Sequence, residues 1–179
     1  MTAIVAMMRK YCGDNDKLYD ILYQHSRAVA DKALHIINMH PELKVNRYFV
    51  EEASMVHDIG IVKTNAPAIA CFGTEPYICH GVIGSKIVVD EGFGEYARVC
   101  ERHTGTGLTK KEIICQNLPL PHMDLVPESL EEQIICFADK FFSKTKPQQE
   151  KTTEQVCKSL EKFGKESVDK FNIWCEKFL

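Results

Sequence analysis

Six ionisable side chains of this chain stand on helix faces that should be apolar, and this placement limits its folds more than any other feature. Leu18, Ile21, Leu22, His25, Ala28, Val29, Ile36 and Ile37 recur at the spacing of one helix face. A helix is therefore expected from the cap residues Asp14-Asn15-Asp16 to about Met39, where His40-Pro41 stops it. A second helix, capped by Asn46, carries Val50, Ala53, Met55 and Val56 up to His57-Asp58-Ile59-Gly60, with Gly60 as its expected terminator. A third opens at Glu75-Pro76 and aligns His80, Ile83, Gly84, Ile87 and Val88. A fourth, from about Gly94 to His103, aligns Tyr96, Val99, Cys100 and His103. Thr109-Lys110-Lys111-Glu112 fits a capping box for a short fifth helix. Glu128 to about Ser143 predicts a sixth, its inner face marked by Ile135, Ala138, Asp139 and Phe142. Lys144 to Lys151 is polar and contains Pro147, which suggests a hinge, and Thr153 to Phe178 reads as one amphipathic helix. No segment alternates as a strand does, so the expected class is all-α. Residues 1–145 would form the main domain. Residues 146–179 would be a linker and a helix that packs on this domain or on a dimer partner, a homodimer being the alternative to packing within one chain.

The misplaced groups are His25, His57, Asp58, His80, His103 and Asp139. Burying an ionisable group costs several kcal/mol unless it is paired or bound to a cation. One histidine among apolar residues is ordinarily a hydrogen-bonded core or surface group. Six such residues on five helices call for a cation. Four histidines and two aspartates, without a thiolate cluster, form a mixed nitrogen and oxygen donor set. Such a set suits iron, manganese, cobalt or nickel better than a closed structural zinc site, and the donors do not choose among these metals; iron or manganese is the working expectation, with cobalt, nickel and zinc admitted. Neighbouring helical residues point ~100° apart, so His57 and Asp58 can take adjacent positions around one ion, and a carboxylate can bridge two. The eight cysteines are scattered and contain no C-x-x-C pair, which favours buried free thiols over disulfides.

His57-Asp58-Ile59-Gly60 resembles the HDIG signature of the HD superfamily of metal-dependent phosphohydrolases. That family's pattern is a histidine on an earlier helix, the His-Asp doublet and a distal aspartate, matched here by His25, His57-Asp58 and Asp139 over about residues 15–145. The resemblance implies an HD-domain helical bundle, extended by the C-terminal amphipathic helix. Members that hold two metals carry two further histidines between the doublet and the last aspartate, as His80 and His103 stand here. By that resemblance His25, His57, Asp58 and Asp139 hold one ion, while His80, His103 and a bridging Asp58 hold a second.

The chemistry so implied is attack of a metal-activated water on phosphorus, with Asp58 and His57 as the catalytic pair. The expected substrate is a small phosphate ester or anhydride, most reasonably a nucleotide, with dinucleoside tetraphosphates as one example. HD hydrolases often place Lys or Arg after the signature glycine, whereas Ile61 stands here. Lys63 is the expected substitute, with Thr104, Gly105 and Lys140 as further substrate contacts. The same six ligands also serve HD-fold di-iron oxygenases, and a non-catalytic nucleotide-binding module is a third reading. A net charge of −3 gives no electrostatic reason to expect a long nucleic acid or an anionic membrane as partner. The short apolar run Met1–Met8 lacks the features of a signal peptide and no run reaches the ~18 residues of a membrane span, so a cytoplasmic protein is expected.

Overall fold

The computed structural model describes residues 1–146 and 148–179. The expected hinge at Pro147 lies outside the described residues. The main body is built from α1 (Thr2–Cys12), α2 (Asp16–Met39), α3 (Arg47–Val56), α4 (His80–Asp90), α5 (Ala97–Arg102), α6 (Lys110–Cys115) and α7 (Leu130–Lys140). Two further helices, α8 (Thr153–Leu160) and α9 (Lys165–Phe178), follow. The only strands among the described residues are β1 (Asn65–Ala66) and β2 (Cys71–Phe72), a two-stranded antiparallel hairpin. The class is all-α, as the periodicities predict. None of these helices is long and apolar enough to cross a membrane.

Local chemistry sets the helix starts. Asn15 accepts from the backbone N–H of Leu18, Asn46 from Phe49 and Ser129 from Glu132. Thr109 with Glu112, and Thr152 with Gln155, close reciprocal capping boxes. α2 is the central rod. It buries Leu18, Leu22, Val29, Ala30 and Ala33 against α1, α3 and α7, while α4 packs against α5. Away from the site, buried polar groups are mostly matched locally: the Ser54 hydroxyl donates to the Val50 carbonyl, that of Thr64 to the Ile61 carbonyl, and Arg102 pairs with Glu128 at 2.9 Å.

Four details depart from the sequence reading. The apolar run Met1–Met8 leads into a helix with one buried face, for Ile4, Met7 and Met8 lie about one turn apart and enter the core. Gly60 does not terminate α3, which ends at Val56; it lies within a 3₁₀ turn, Ile59–Lys63. The third and fourth helices each begin with a 3₁₀ turn, at Tyr77–Cys79 and Gly94–Tyr96. The C-terminal segment is two helices rather than one. A 3₁₀ turn at Glu161–Phe163 and Gly164, whose φ of 92° suits only glycine, redirect the chain between them. α9 then turns Phe171, Trp174 and Phe178 inward onto Phe137 of α7, with ring centroids 5.2, 6.5 and 5.4 Å away.

Candidate metal centre

The six groups singled out by sequence come together at one buried point. His25 projects from the middle of α2. His57 and Asp58 occupy the turn that leaves α3, His80 is the first residue of α4, His103 caps the C-terminus of α5, and Asp139 is the penultimate residue of α7. All six are buried. Two glycines allow the elements to approach this closely. A Cβ on Gly60 would stand 2.0 Å from the His80 carbonyl oxygen, and one on Gly81 would stand 2.6 Å from that of Cys100. The first glycine brings the doublet against the start of α4, and the second lets α4 approach α5.

The side chains form two sets that share Asp58. Its Oδ2 lies 3.0 Å from His25 Nε2 and 3.1 Å from His57 Nε2. Asp139 Oδ1 closes this first set at 3.0 Å from His25 Nε2 and 3.5 Å from His57 Nε2. Asp58 Oδ1 faces the other way, 3.4 Å from His80 Nε2 and 3.3 Å from His103 Nε2. In each set the candidate donor atoms all lie within 4.8 Å of one another. Two ligands at right angles around an ion, each with a bond of about 2.1 Å, stand about 3 Å apart, the spacing found here.

Hydrogen bonding supports a cation at both places. Backbone carbonyls of Ser54, Tyr77 and Cys100 accept from Nδ1 of His57, His80 and His103, at 2.6, 2.7 and 2.7 Å. A carbonyl cannot donate, so each Nδ1 carries the proton, and in the neutral ring Nε2 is a bare lone pair. The Nε2 atoms of His80 and His103 stand 3.0 Å apart. Two lone pairs so placed repel unless a positive charge lies between them. Nε2 of His25 and His57 and both oxygens of Asp58 are buried without a hydrogen-bond partner. Lys144 Nζ does come within 2.6 Å of Asp58 Oδ2, but as an ion pair out of hydrogen-bond alignment. These unmatched donor atoms fit divalent cations.

The charges are mutually dependent. Burial lowers the His57 pKa, but Asp58 and Asp139 outweigh it and hold the imidazole at about 9. Burial, followed by the neighbouring His103, pushes His80 down to about 3, and burial also lowers His103. Burial opposes the charge on both aspartates. Lys144 and His57 overcome it at Asp58, and Lys140 and His25 at Asp139, so both stay well below the usual carboxylate range.

The HD domain family model matches residues 22–143. The chain belongs to the HD domain family. Among curated relatives, this HD protein is 33% identical over 147 residues to an uncharacterised protein of Methanocaldococcus jannaschii, covering 79% of this chain and 75% of that one. It is 33% identical over 125 residues, 69% of the chain, to a tRNA (cytidine(56)-2'-O)-methyltransferase of Picrophilus torridus. A protein of the same name from Thermoplasma volcanium is 27% identical over 161 residues, 89% of the chain. The matches span only 32% and 42% of those two methyltransferases. No solved structure matches.

A cavity of about 410 Å³ opens onto the centre. His80, His103 and Asp139 form its floor, and Thr104, Gly105 and Lys140 line its wall. Lys63 does not: it is exposed and outside the lining, because the 3₁₀ turn after the doublet carries it outward. Lys144, Lys151 and Lys162 line the cavity instead. None of the three was singled out by sequence, although the run Lys140, Lys144, Lys146, Lys151 directly follows the last aspartate. A stretch that alternates charge with Pro and Gln reads as solvated linker until its path is known.

Proposed function

We propose that this HD protein is a metal-dependent phosphohydrolase acting on a nucleotide or another small phosphate ester or anhydride. The observation that carries the reading is the divergence of the two Asp58 oxygens toward separate nitrogen sets, the arrangement expected of a carboxylate that bridges two cations. His25, His57, Asp58 and Asp139 would hold one ion, and Asp58, His80 and His103 the other. The mixed donors suit divalent transition metals, of which iron and manganese are the first to try. Ions held there supply Lewis acidity, which makes water more acidic and offsets charge on phosphoryl oxygens.

The chain's own groups have distinct tasks. The three carbonyl-bound histidines keep fixed tautomers with Nε2 turned inward. Asp58 is wholly buried with both oxygens turned to histidines, so it holds the centre together. Asp139 Oδ2 points away from the histidines, 2.7 Å from Lys140 Nζ, at the cavity floor. It therefore suits the proton acceptor better than Asp58. As water oxygen bonds to phosphorus, the bond from phosphorus to the leaving oxygen breaks, that oxygen takes the electron pair, and the water proton passes by way of Asp139, too acidic to keep it, to the leaving oxygen. Lys140 also donates to the His103 carbonyl at 2.8 Å, which holds its ammonium beside the incoming phosphoryl group.

Two relatives are named as tRNA methyltransferases, which makes nucleotides the first compounds to screen. The test is phosphate release by protein reconstituted with iron or manganese, with and without oxygen, and with Asp58→Ala as control. Release that is independent of oxygen and lost in Asp58→Ala is the expected result. Turnover that needs oxygen and frees no phosphate would overturn the proposal.

A further inference from the structure

Four lysines ring one small cavity, and three of them lie beyond the residues matched by the family. Lys140 and Lys144 are paired with the two site aspartates, Asp139 at 2.7 Å and Asp58 at 2.6 Å. Lys151 and Lys162 also line the cavity, and no described carboxylate lies within ion-pair distance, 4.0 Å, of either. The wall they belong to is fastened down. Lys151 donates from its backbone N–H to the Phe141 carbonyl at 2.8 Å and from Nζ to the Lys140 carbonyl at 3.3 Å, both at the end of α7. Ser167 of α9 hydrogen-bonds Thr106 at 2.9 Å, and both are buried. The Phe163 ring lies over Gly105, where a Cβ would meet it at 3.4 Å. The C-terminal arm is thus one side of the site.

We propose that this arm selects substrates carrying a chain of two or more phosphates, with Lys151 and Lys162 receiving the phosphates distal to the one attacked. The inference rests on the phosphohydrolase reading and specifies its substrate class. Once cations occupy the two ligand sets, Asp58 and Asp139 are neutralised by them, and Lys140 and Lys144 lose their partners' charge. All four lysines then line the cavity with no carboxylate charge to balance them. A lone phosphoryl group on the cavity floor would leave the outer two without an anion, which is unfavourable for half-buried Lys151 and leaves the attraction of exposed Lys162 unused. A phosphoanhydride chain puts negative charge at each step outward. Burial lowers the Lys151 pKa, as befits a cation still lacking its counter-charge. The volume of about 410 Å³ lies in the range of small-ligand sites and exceeds the needs of a single phosphate.

Calorimetric titration of the metal-loaded protein tests this, with orthophosphate and tripolyphosphate supplied as magnesium complexes so that chelation does not strip the centre. Tripolyphosphate should bind at least about tenfold more tightly than orthophosphate, and Lys162→Ala and Lys151→Ala should each reduce that preference by about tenfold. Lys158→Ala, an exposed lysine of α8 outside the cavity, serves as the charge control and should keep the preference. Lys162 is exposed, which keeps its variant clear of a folding defect. Equal affinity for the two anions, or equal weakening of both by the variants, would overturn the inference. So would displacement of tripolyphosphate by a short oligoribonucleotide without an anhydride chain. A preference for tripolyphosphate with no turnover of any nucleotide would leave this inference standing and defeat the hydrolase reading. Cleavage of monophosphates without the preference would do the reverse.

Discussion

Asp58 is asked to serve two histidine sets at once, and its neighbours cannot replace it. Asp58→Asn keeps the shape but removes the charge and one acceptor oxygen, so both ligand sets lose their common anion. Elemental analysis should show metal content falling from about two ions per chain to nearly none, whereas His80→Ala or His103→Ala should leave about one. Equal loss in all three variants would contradict two separable sites. His57 makes a second, pH-dependent prediction. In the metal-free protein its pKa is raised to about 9, so the protonated ring favours the folded state. That contribution is complete below its ordinary 6.5 and fades as pH rises through about 9. His80, lowered to about 3, acts oppositely, and its contribution is present above 6.5 and declines as pH falls. The melting temperature of the metal-free protein should therefore drop between pH 6.5 and 9. Metal should abolish that drop, since a bound cation takes the place of the His57 proton. A metal-free melting temperature that stays level over this window would remove the raised His57 pKa from the account.

Between elements, the tightest constraint is Gly60. A methyl group there would overlap the His80 carbonyl at 2.0 Å and the Gly84 nitrogen at 2.5 Å, both backbone atoms that cannot swing aside. Gly60→Ala should cost about 3 kcal/mol or more in chemical denaturation and reduce metal content, because α4 carries His80 away as it yields. Gly92→Ala meets open space but keeps a φ of +83°, so it should cost only about 1 kcal/mol and leave the metal in place. The sequence made Gly60 look like a helix stop because a glycine after an apolar run ordinarily is one. Its actual neighbours are residues 20 or more positions away, which no local pattern reveals. The six clustered groups were legible for the converse reason, since an ionisable group in phase with a helix's apolar stripe betrays its burial directly. The break at Gly164 left a fainter trace. Phe163 and Val168 are five residues apart, one too many for a continuous face.

At the scale of the whole molecule, the C-terminal arm makes the site and the core interdependent. α9 seats Phe171 between Phe137, at 5.2 Å, and Phe141, at 5.7 Å, which stand two residues to either side of Asp139, the first within α7 and the second at its C-cap. Phe171 is fully buried, so the inward stripe that sequence left open to either this chain or a second copy is occupied by α7. Removing its ring opens a cavity beneath the helix that carries both Asp139 and Lys140. Phe171→Ala should cost about 3–5 kcal/mol. A purely global loss would lower the melting temperature and leave the metal content of the still-folded protein unchanged. Interdependence of site and core requires more: at a temperature where the variant remains folded, its first ion should dissociate faster in a chelator-competition assay, because Asp139 is held less firmly. Exposed Ile173, on the opposite side of α9, offers the comparison. Ile173→Ala should shift neither melting nor metal release, and a Phe171→Ala variant that behaved likewise would show that the arm does not brace α7.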